Sequence, residues 1–269
     1  MAPQILDRDE IKNIEMRILK EIDLLCNTHS LKYVLFYGSL LGAIRHKGFI
    51  PWDDDVDIIL PREDYNKLIS IIKTSNSTPH WLEILDSDKD GYYYPFAKAV
   101  DNRTVAKMES NTTEHGVWID IFPIDYVPPK TFISHRCIDL CYFLRETTIS
   151  MTTDFSSSRI ENTQKKRLYF FHWLGNTIGK KRICSFFTRI QLLISKKSSG
   201  YYANLFPTYK YKEIYKSNDM FEQIDLQFDN TTVKGPKNYD LLLKQLYGDY
   251  RTLPPVEKRR THGITAWYK

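Results

Sequence analysis

Four aspartates come directly before an apolar strand, and no other feature constrains the fold of this chain as strongly. Asp53, Asp54, Asp55 and Asp57 stand in the segment PWDDDVDIIL. If the chain is extended from Pro51 onward, alternation places the first, third and fourth of these aspartates on one face. Two carboxylates about 4 Å apart repel by roughly 4 kcal/mol at an effective dielectric constant near 20. Aspartates also favour solvated acidic turns. The repulsion within this cluster instead predicts a bound hard cation, Mg²⁺ or Mn²⁺.

The bulk composition is that of a globular protein. The chain has 269 residues, of which 42% are hydrophobic and 26% charged, with a formal net charge of +5; this length allows one large domain or two small ones. Its four cysteines suggest no disulfide framework, and the start MAPQILDRDE is charged and unlike a signal peptide. We therefore expect reduced thiols in a cytoplasmic compartment. No run of about 18 apolar residues is present, so no membrane span is expected.

Hydrophobic periodicity predicts alternating helices and strands over the first half of the chain. Ile11, Ile14, Ile18, Ile22 and Leu25 recur at steps of three and four residues, which predicts an amphipathic opening helix capped by one of the aspartates before it. The later patterns predict a strand over 33–37, a helix from Ser39 to near Gly48, the acidic strand from Pro51 to Leu60, a helix after Pro61, and strands over 81–85, 92–100 and 116–125.

This order of elements predicts an α/β (α+β) protein, with a mixed sheet flanked by helices. We expect a core over 1–128, a basic, aromatic-rich helical region over 129–212, and a C-terminal segment over 213–269 that packs back on the core. From Asn162 to Lys212 there are eleven Lys or Arg residues and no acidic residue. That region could be a solvated helical face, or it could contact an anionic membrane surface or a polyanionic acceptor. No nucleic acid is expected, because no recognised binding motif is present.

A phosphate site and a third acid can be placed beside the aspartates. Gly38 and Ser39 stand at a strand-to-helix turn, where backbone N–H groups and the helix dipole favour a phosphate. Asp120, in the context WIDIF, would complete a three-carboxylate cage or would be a paired surface acid. The cations two helical turns after the glycine could neutralise the phosphate further or be a solvated helix end; they are Arg45, His46 and Lys47.

These motifs resemble the nucleotidyltransferase fold, and the string YGSLLGAIRHKGFIPWDDDVDI resembles the LicD family of phosphocholine transferases, to which the fukutin-related polyol-phosphate transferases are similar. FAKAVDNRT, GVWIDIFPID and YGDYRTLPPVEKRRTHGI fit later blocks of that family, so the resemblance covers both ends of the chain. The basic middle, roughly residues 130–211, matches no block of it. The gap between the Gly-Ser pair and the aspartates is typical of this family.

The resemblance implies metal-dependent in-line transfer of phosphocholine from CDP-choline to a hydroxyl of a cell-surface glycan, such as a teichoic acid or lipooligosaccharide, with release of CMP. It implies a glycan acceptor that could be lipid-linked. Contact of the basic region with an anionic membrane would place the protein at the inner face of the membrane. Asp55, Asp57 and Asp120 are then the catalytic metal ligands, and Asp53 is a ligand or a neighbour of the ligands. The donor phosphates would meet the Gly-Ser turn and the cations after it. Further candidate residues of the site are Lys98, Arg103 and His262.

Three alternatives stay open at this point. The donor could be CDP-ribitol or CDP-glycerol, which would make the protein a polyol-phosphate transferase. It could be a true nucleotidyltransferase that releases pyrophosphate. It could also be a membrane- or glycan-binding module, although such a module has no need for repelling carboxylates. For choline an aromatic cage is expected, with Trp52, Trp118 and several tyrosines as candidates that no spacing singles out.

Overall fold

The computed structural model describes residues 4–75, 78–129, 131–195, 200–259 and 261–269. Lys196 and Lys197, which belong to the predicted basic region, lie outside the described residues. The elements in chain order are α1 (Arg8–Thr28), β1 (Val34–Leu35), α2 (Tyr37–His46), β2 (Asp57–Pro61), α3 (Arg62–Thr74), β3 (Leu82–Leu85), β4 (Ala97–Asp101), β5 (Thr104–Met108), β6 (Glu114–His115), β7 (Trp118–Tyr126), α4 (Phe132–Ser150), α5 (Asn162–Ile178), α6 (Lys180–Ile194), β8 (Tyr201–Asn204), β9 (Ile214–Lys216), α7 (Ser217–Met220), β10 (Gln223–Phe228), β11 (Thr231–Pro236), α8 (Tyr239–Tyr247) and β12 (Ile264–Tyr268).

The main sheet is mixed, and this confirms the predicted α/β class. Its strands run in the order β1-β2-β7-β4-β3, and β8 and β9 extend it beyond β4 along β7. β2 and β7 are parallel, whereas β1 pairs with β2 and β4 pairs with β7 in antiparallel fashion. The central strands are buried, with Ile58, Ile59, Ile119 and Ile121 at 0% exposure. Helices α1, α3 and α6 all pack on β7, so this long strand is the structural axis of the core.

The opening helix forms as its periodicity predicts. Asp7 caps α1: its carboxylate accepts from the Glu10 N–H, and the Glu10 carboxylate accepts from the Asp7 N–H. This reciprocal capping box satisfies two N–H groups that the helix end would otherwise leave unpaired. The predicted apolar face is buried, and Ile18 and Ile22 have no exposed surface.

Two boundaries beside the aspartates differ from the predicted ones. The strand predicted over 33–37 is reduced to Val34–Leu35, and α2 begins at Tyr37 instead of Ser39. The acidic strand begins at Asp57, not at Pro51, because the Asp53 N–H donates to the Ile50 carbonyl and closes a turn there. Asp53 and Asp55 therefore lie in a loop, where the local turn overrides strict alternation.

The region over 129–212 is helical for most of its length, and its end returns to the core. Helices α4, α5 and α6 pack on one another. β8 then pairs antiparallel with β7, with Ile124 opposite Asn204 and Tyr126 opposite Tyr202. A strand from the basic region is thus part of the main sheet.

The C-terminal segment contacts the core at three places. The β10–β11 hairpin packs on β1 and α2, and α8 packs on α2. β12 pairs antiparallel with β5, from Ile264 opposite Met108 to Tyr268 opposite Thr104. The residues just before β12 are thereby held close to the loop that carries the aspartates. Within the described residues, no helix has the length and apolar character needed to cross a bilayer.

A buried carboxyl group in this frame predicts a measurable pH dependence. Glu213 is fully buried and accepts hydrogen bonds from the Thr208 and Tyr209 N–H groups and from the Tyr37 hydroxyl. Burial is the largest influence and raises the pKa of Glu213 from 4.5 to about 7. Because the folded state holds this proton to higher pH than the unfolded chain, the contribution to stability is complete below about pH 4.5 and is lost as the pH rises to 7.

Glu213→Gln mimics the protonated form, so we expect it to flatten the fall in the free energy of unfolding between pH 4.5 and 7. Between these pH values the wild type should lose about 3 kcal/mol more of its free energy of unfolding than the variant does, at 1.36 kcal/mol per pKa unit. Urea unfolding at a series of pH values measures it, with the exposed Glu257→Gln as the control. Equal slopes for wild type and Glu213→Gln would contradict the assignment.

Candidate active site

Strand pairing places two carboxylates and a lysine in one row across the sheet. The parallel register of β2 and β7 sets Asp57 opposite Asp120, and the antiparallel register of β4 and β7 sets Lys98 opposite Asp120. Partners in register project to the same side of a sheet. The Lys98 ammonium forms an ion pair with Asp120, and only 7% of its side chain is exposed.

Asp55 joins this row from the preceding loop. Asp55, Asp57 and Asp120 each offer a carboxylate oxygen, and these three oxygens lie within 4.8 Å of one another. Opposed ligands of an octahedral Mg²⁺ stand about 4.2 Å apart, since Mg–O distances are near 2.1 Å. Adjustment of the side chains would bring the three carboxylates to a common cation. We refer to Asp55, Asp57 and Asp120 as the carboxylate triad.

The electrostatics of the triad show a deficit of positive charge. Burial raises the pKa of Asp55 to about 7, with further contributions from the carboxylates of Asp53 and Asp120. Burial, together with the carboxylates of Asp55 and Asp120, raises the pKa of Asp57 well above its ordinary value. Lys98 compensates one of the three negative charges. Asp55 and Asp57 have no lysine or arginine partner among the described residues, and a divalent cation would compensate them, so the residues fit such an ion.

The Gly-Ser pair serves the loop as well as the cavity. The Asp57 N–H donates to the Ser39 Oγ at 2.8 Å, and Ser39 is 3% exposed. Its hydroxyl therefore fixes the start of β2 and is not turned toward the cavity, which the sequence could not indicate. A Cβ atom on Gly38 would lie 2.6 Å from Asp53 Oδ2. The glycine is thus needed for the close approach of the Asp53 carboxylate to the N-terminal end of α2.

Asp53 belongs to a second group of ligand atoms, separate from the triad. Asp53, Asp54 and His262 form this group, again with ligand atoms within 4.8 Å. Asp54 Oδ1 accepts from the His262 N–H at 2.8 Å and lies 2.9 Å from its Nδ1. His262 Nδ1 also lies 3.6 Å from Asp55 Oδ2. The carboxylates of Asp55 and Asp54 raise the pKa of His262 to about 10, against the effect of burial.

The sequence missed two residues behind this loop. Glu15 on α1 is 1% exposed, and its Oε2 has no hydrogen-bond partner among the described residues. Burial, followed by the carboxylates of Asp55 and Asp54, raises the pKa of Glu15 well above its ordinary value. Arg8 donates to the Asp53 carbonyl at 2.8 Å. Helical spacing gave the only sequence signal, because Glu15 stands among the apolar residues of the buried face of α1.

Four of the predicted phosphate-binding cations do not reach the triad. Arg45 donates to the Tyr250 carbonyl and to His46 Nε2, and Lys47 is the left-handed C-cap of α2. The helix rises about 1.5 Å per residue, so its last turn lies roughly 10 Å from the Gly-Ser end. Arg103 forms an ion pair with Asp101 instead. Of the cations predicted from the sequence to meet the donor phosphates, Lys98 and His262 line the cavity.

The triad opens into a cavity of about 760 Å³. That volume lies within the usual range for a site that takes a nucleotide-sized ligand. The lining includes cations that sequence reasoning did not select, Arg145 and Lys258, and a large share of aromatic rings. Those rings are Tyr37, Trp52, Tyr94, Phe96, Trp118, Phe122, Phe206, Tyr209 and Tyr247.

A mixed sheet with carboxylates on adjacent parallel strands, beside a glycine at a helix N-terminus, is the arrangement expected from the resemblance to the nucleotidyltransferase fold. Comparison with known families agrees, since residues 30–143 match the family described as LicD/FKTN/FKRP, nucleotidyltransferase domain. The chain is 27% identical over 263 residues to the lipopolysaccharide cholinephosphotransferase LicD of Haemophilus influenzae, covering 94% of both chains. It also matches an uncharacterised protein of Rickettsia prowazekii, at 41% identity over 56 residues, or 21% of each chain. The chain is therefore similar to the LicD family, in its residues 30–143 to the family's domain and over most of its length to one member.

Removing one carboxylate of the triad tests the charge deficit. In the absence of divalent cations, we expect Asp57→Asn to raise the free energy of unfolding at pH 7 by about 1–3 kcal/mol, because it relieves repulsion between buried carboxylates. Mg²⁺ at 100 times its dissociation constant should stabilise the wild type by about 2.7 kcal/mol and the variant far less.

Thermal and urea unfolding with EDTA and with Mg²⁺ measures both effects. Asp249→Asn, which changes an exposed aspartate, is the matched control. A variant that is less stable than the wild type in EDTA, yet gains as much from Mg²⁺, would contradict a cation site at the triad.

Proposed function

We propose that this protein transfers phosphocholine from CDP-choline to a hydroxyl of a cell-surface glycan and releases CMP. The observation that carries the proposal is the carboxylate triad, paired with Lys98 on the wall of a cavity large enough for a nucleotide. The similarity to a cholinephosphotransferase over 94% of the chain supports the choice of reaction. Phosphoryl-type transfer depends on charge neutralisation and in-line positioning, which such a site supplies.

A divalent cation, Mg²⁺ or Mn²⁺, would be held by the triad and would supply neutralisation of the donor phosphates. The remaining positive charge comes from the chain itself. Lys98, Lys258 and His262 line the cavity and can meet phosphate oxygens. Gly38 lines it too, at the N-terminal end of α2, where backbone N–H groups favour an anion.

The transfer step is an in-line displacement at the phosphorus that bears choline. The acceptor oxygen forms a bond to that phosphorus, the bond from phosphorus to the bridging oxygen of the pyrophosphate breaks, and CMP departs with that oxygen. The acceptor proton must leave the hydroxyl as it attacks. The Asp120 carboxylate lines the cavity beside Lys98, and we assign it as the proton acceptor.

The aromatic lining suits a quaternary ammonium group, but not at the tryptophans that the sequence suggests. Lys98 lies 4.4 Å from the centre of the Trp118 ring, and Arg259 lies 4.7 Å from that of Trp52. Each of the two tryptophan rings therefore already has a cation of the chain over one face. Tyr209 and Tyr247 meet edge to face with ring centres 5.5 Å apart, and no ion pair or cation–π contact of the described residues engages them. We place the choline headgroup at these two tyrosines.

The same lining separates the alternatives. A polyol such as ribitol or glycerol has hydroxyls that need hydrogen-bonding partners, and it gains little from an aromatic wall. A true nucleotidyltransferase would share the triad but would release pyrophosphate. A glycan- or membrane-binding module would have no use for a charge-deficient triad. The aromatic cavity is the specific observation that favours choline.

Product analysis tests the reaction. Incubation of the purified protein with CDP-choline, Mg²⁺ and candidate glycans should yield CMP and a glycan heavier by one phosphocholine unit. Asp55→Asn should lower the rate about a hundredfold or more, since the bound cation is worth several kcal/mol in the transition state. Asp249→Asn should leave the rate unchanged. Pyrophosphate in place of CMP, or a folded Asp55→Asn variant with native turnover, would contradict the proposal.

The choice of donor has its own test. Tyr247→Leu keeps an apolar side chain but removes the aromatic face, so we expect kcat/KM for CDP-choline to fall about 3- to 30-fold relative to that for CDP-glycerol. Tyr247→Phe retains the face and should keep the preference. The kinetic comparison needs both donors with each variant. An equal loss for both donors with Tyr247→Leu would place the choline headgroup elsewhere.

A further inference from the structure

The helices of the basic region expose an unusual amount of apolar surface. Among the described residues, seventeen large apolar side chains are exposed, and eleven of them lie on α4, α5 and α6. We call the exposed side chains of these helices the basic aromatic face. Its apolar members are Phe132, Ile133, Leu140, Phe143, Tyr169, Phe170, Trp173, Ile178, Phe186, Leu192 and Leu193.

On α6 the exposed apolar side chains alternate with arginines along one stripe. Arg182, Phe186, Arg189 and Leu193 follow at steps of four, three and four residues, so they share a face of the helix. Phe186 is 49% exposed and Leu193 57% exposed, whereas Phe187, on the opposite face, is fully buried in the core. The helix is thus apolar on both sides, and its outer side also carries positive charge.

Ring contacts join the outer faces of α4 and α5. Phe143 on α4 meets Phe171 on α5 with ring centres 5.3 Å apart, and Phe171 meets Phe170 at 5.4 Å. Trp173 lies 6.5 Å from Phe170 and is 63% exposed. The apolar surface is therefore continuous from one helix to the next and is not a set of scattered side chains.

The charge on α5 and α6 has one sign. Residues 162–195 contain seven Lys or Arg residues and no acidic residue. Arg167 and Lys181 pair with Glu146 and Asp90. Within the described part of the chain, the other five form no ion pair; they are Lys165, Lys166, Lys180, Arg182 and Arg189.

The face adjoins the cavity of the proposed active site. Gln164 and Leu168 on α5 line that cavity, and the residues next to them in the helix, Lys165 and Tyr169, belong to the basic aromatic side. Arg145 on α4 lines the cavity as well. An acceptor anchored in a surface beneath these helices would lie near the mouth of the cavity.

We propose that the basic aromatic face docks on an anionic phospholipid bilayer, and that it brings the active site to a lipid-anchored acceptor. Exposed Phe, Tyr, Trp and Leu side chains with Lys and Arg among them match the chemistry of an interface, where rings enter the headgroup region and cations meet lipid phosphates. Residues 162–195 contain basic residues and no acidic one, so they are complementary to the negative charge of the lipid phosphates. The docking itself stands without the proposed reaction; only its use for the acceptor rests on that function.

Vesicle binding tests the proposal. The full chain should co-float with vesicles of phosphatidylcholine containing phosphatidylglycerol, should bind pure phosphatidylcholine far more weakly, and should lose binding as salt rises. Arg182→Gln with Arg189→Gln should weaken the partition coefficient about 25-fold, at about fivefold per charge. Phe186→Ser with Leu193→Ser should weaken it about tenfold or more.

Matched controls change equivalent side chains elsewhere. Lys32→Gln with Lys216→Gln removes two exposed cations that have no ion pair among the described residues, and Leu241→Ser with Leu253→Ser removes two exposed leucines. Both control variants should bind vesicles as the wild type does. Equal binding by the α6 variants and the controls, or no binding by the wild type, would overturn the proposal. A wild type that self-associates in light scattering but binds no vesicles, together with α6 variants that no longer self-associate, would overturn it in favour of an interface between copies of this chain.

Transfer assays keep this proposal distinct from the proposed reaction. With a water-soluble glycan acceptor, the Phe186→Ser, Leu193→Ser variant should retain the wild-type rate, because these residues lie outside the cavity. With an acceptor anchored in vesicles, its rate should fall in parallel with binding. Vesicle binding by a wild type that transfers to no acceptor would uphold the surface and refute the reaction.

Discussion

The repulsion among the carboxylates of Asp55, Asp57 and Asp120 is the constraint on which the rest of the site depends. Strand register fixes two of them opposite each other, and the loop brings the third, so the fold holds them together against their charges. Lys98 offsets one charge from the next strand. A fold gains nothing from such an arrangement by itself, because buried carboxylates without partners destabilise it. The arrangement is intelligible as a place prepared for a cation and for the phosphates that accompany it.

The segments around the triad hold the aspartate loop in position. Ser39 accepts from the Asp57 N–H, Gly38 leaves room for Asp53, and Arg8 binds the Asp53 carbonyl. His262 reaches Asp54 from the far end of the chain, 208 positions away, because β12 pairs with β5 just after it. The candidate site is therefore assembled from both ends of the sequence, and the C-terminal segment is part of it. Partial unfolding of that segment would leave Asp54 without its partner.

Local patterns account for what could be predicted, and long-range pairing accounts for what could not. The apolar spacing of α1 and the acids of β2 and β7 can be recognised from neighbouring residues alone. These local patterns predicted the mixed sheet and selected Asp57 and Asp120 as site residues. The start of β2 at Asp57 depends on a turn whose hydrogen bond no periodicity encodes. The partners of Lys98, His262 and Glu15 depend on which strands and helices meet. Arg45 seemed suitable by charge, but the rise of α2 carries it away from the triad.

The central claim is that the carboxylate triad binds a divalent cation at the donor phosphates. Crystals grown with MnCl₂ and CDP-choline, measured at the manganese absorption edge, test it most directly. We expect an anomalous peak within coordination distance of Asp55, Asp57 and Asp120, with donor phosphate oxygens completing the ligands of the metal. Ordered donor density in the cavity without such a peak at the triad, or manganese bound only at another site, would contradict it.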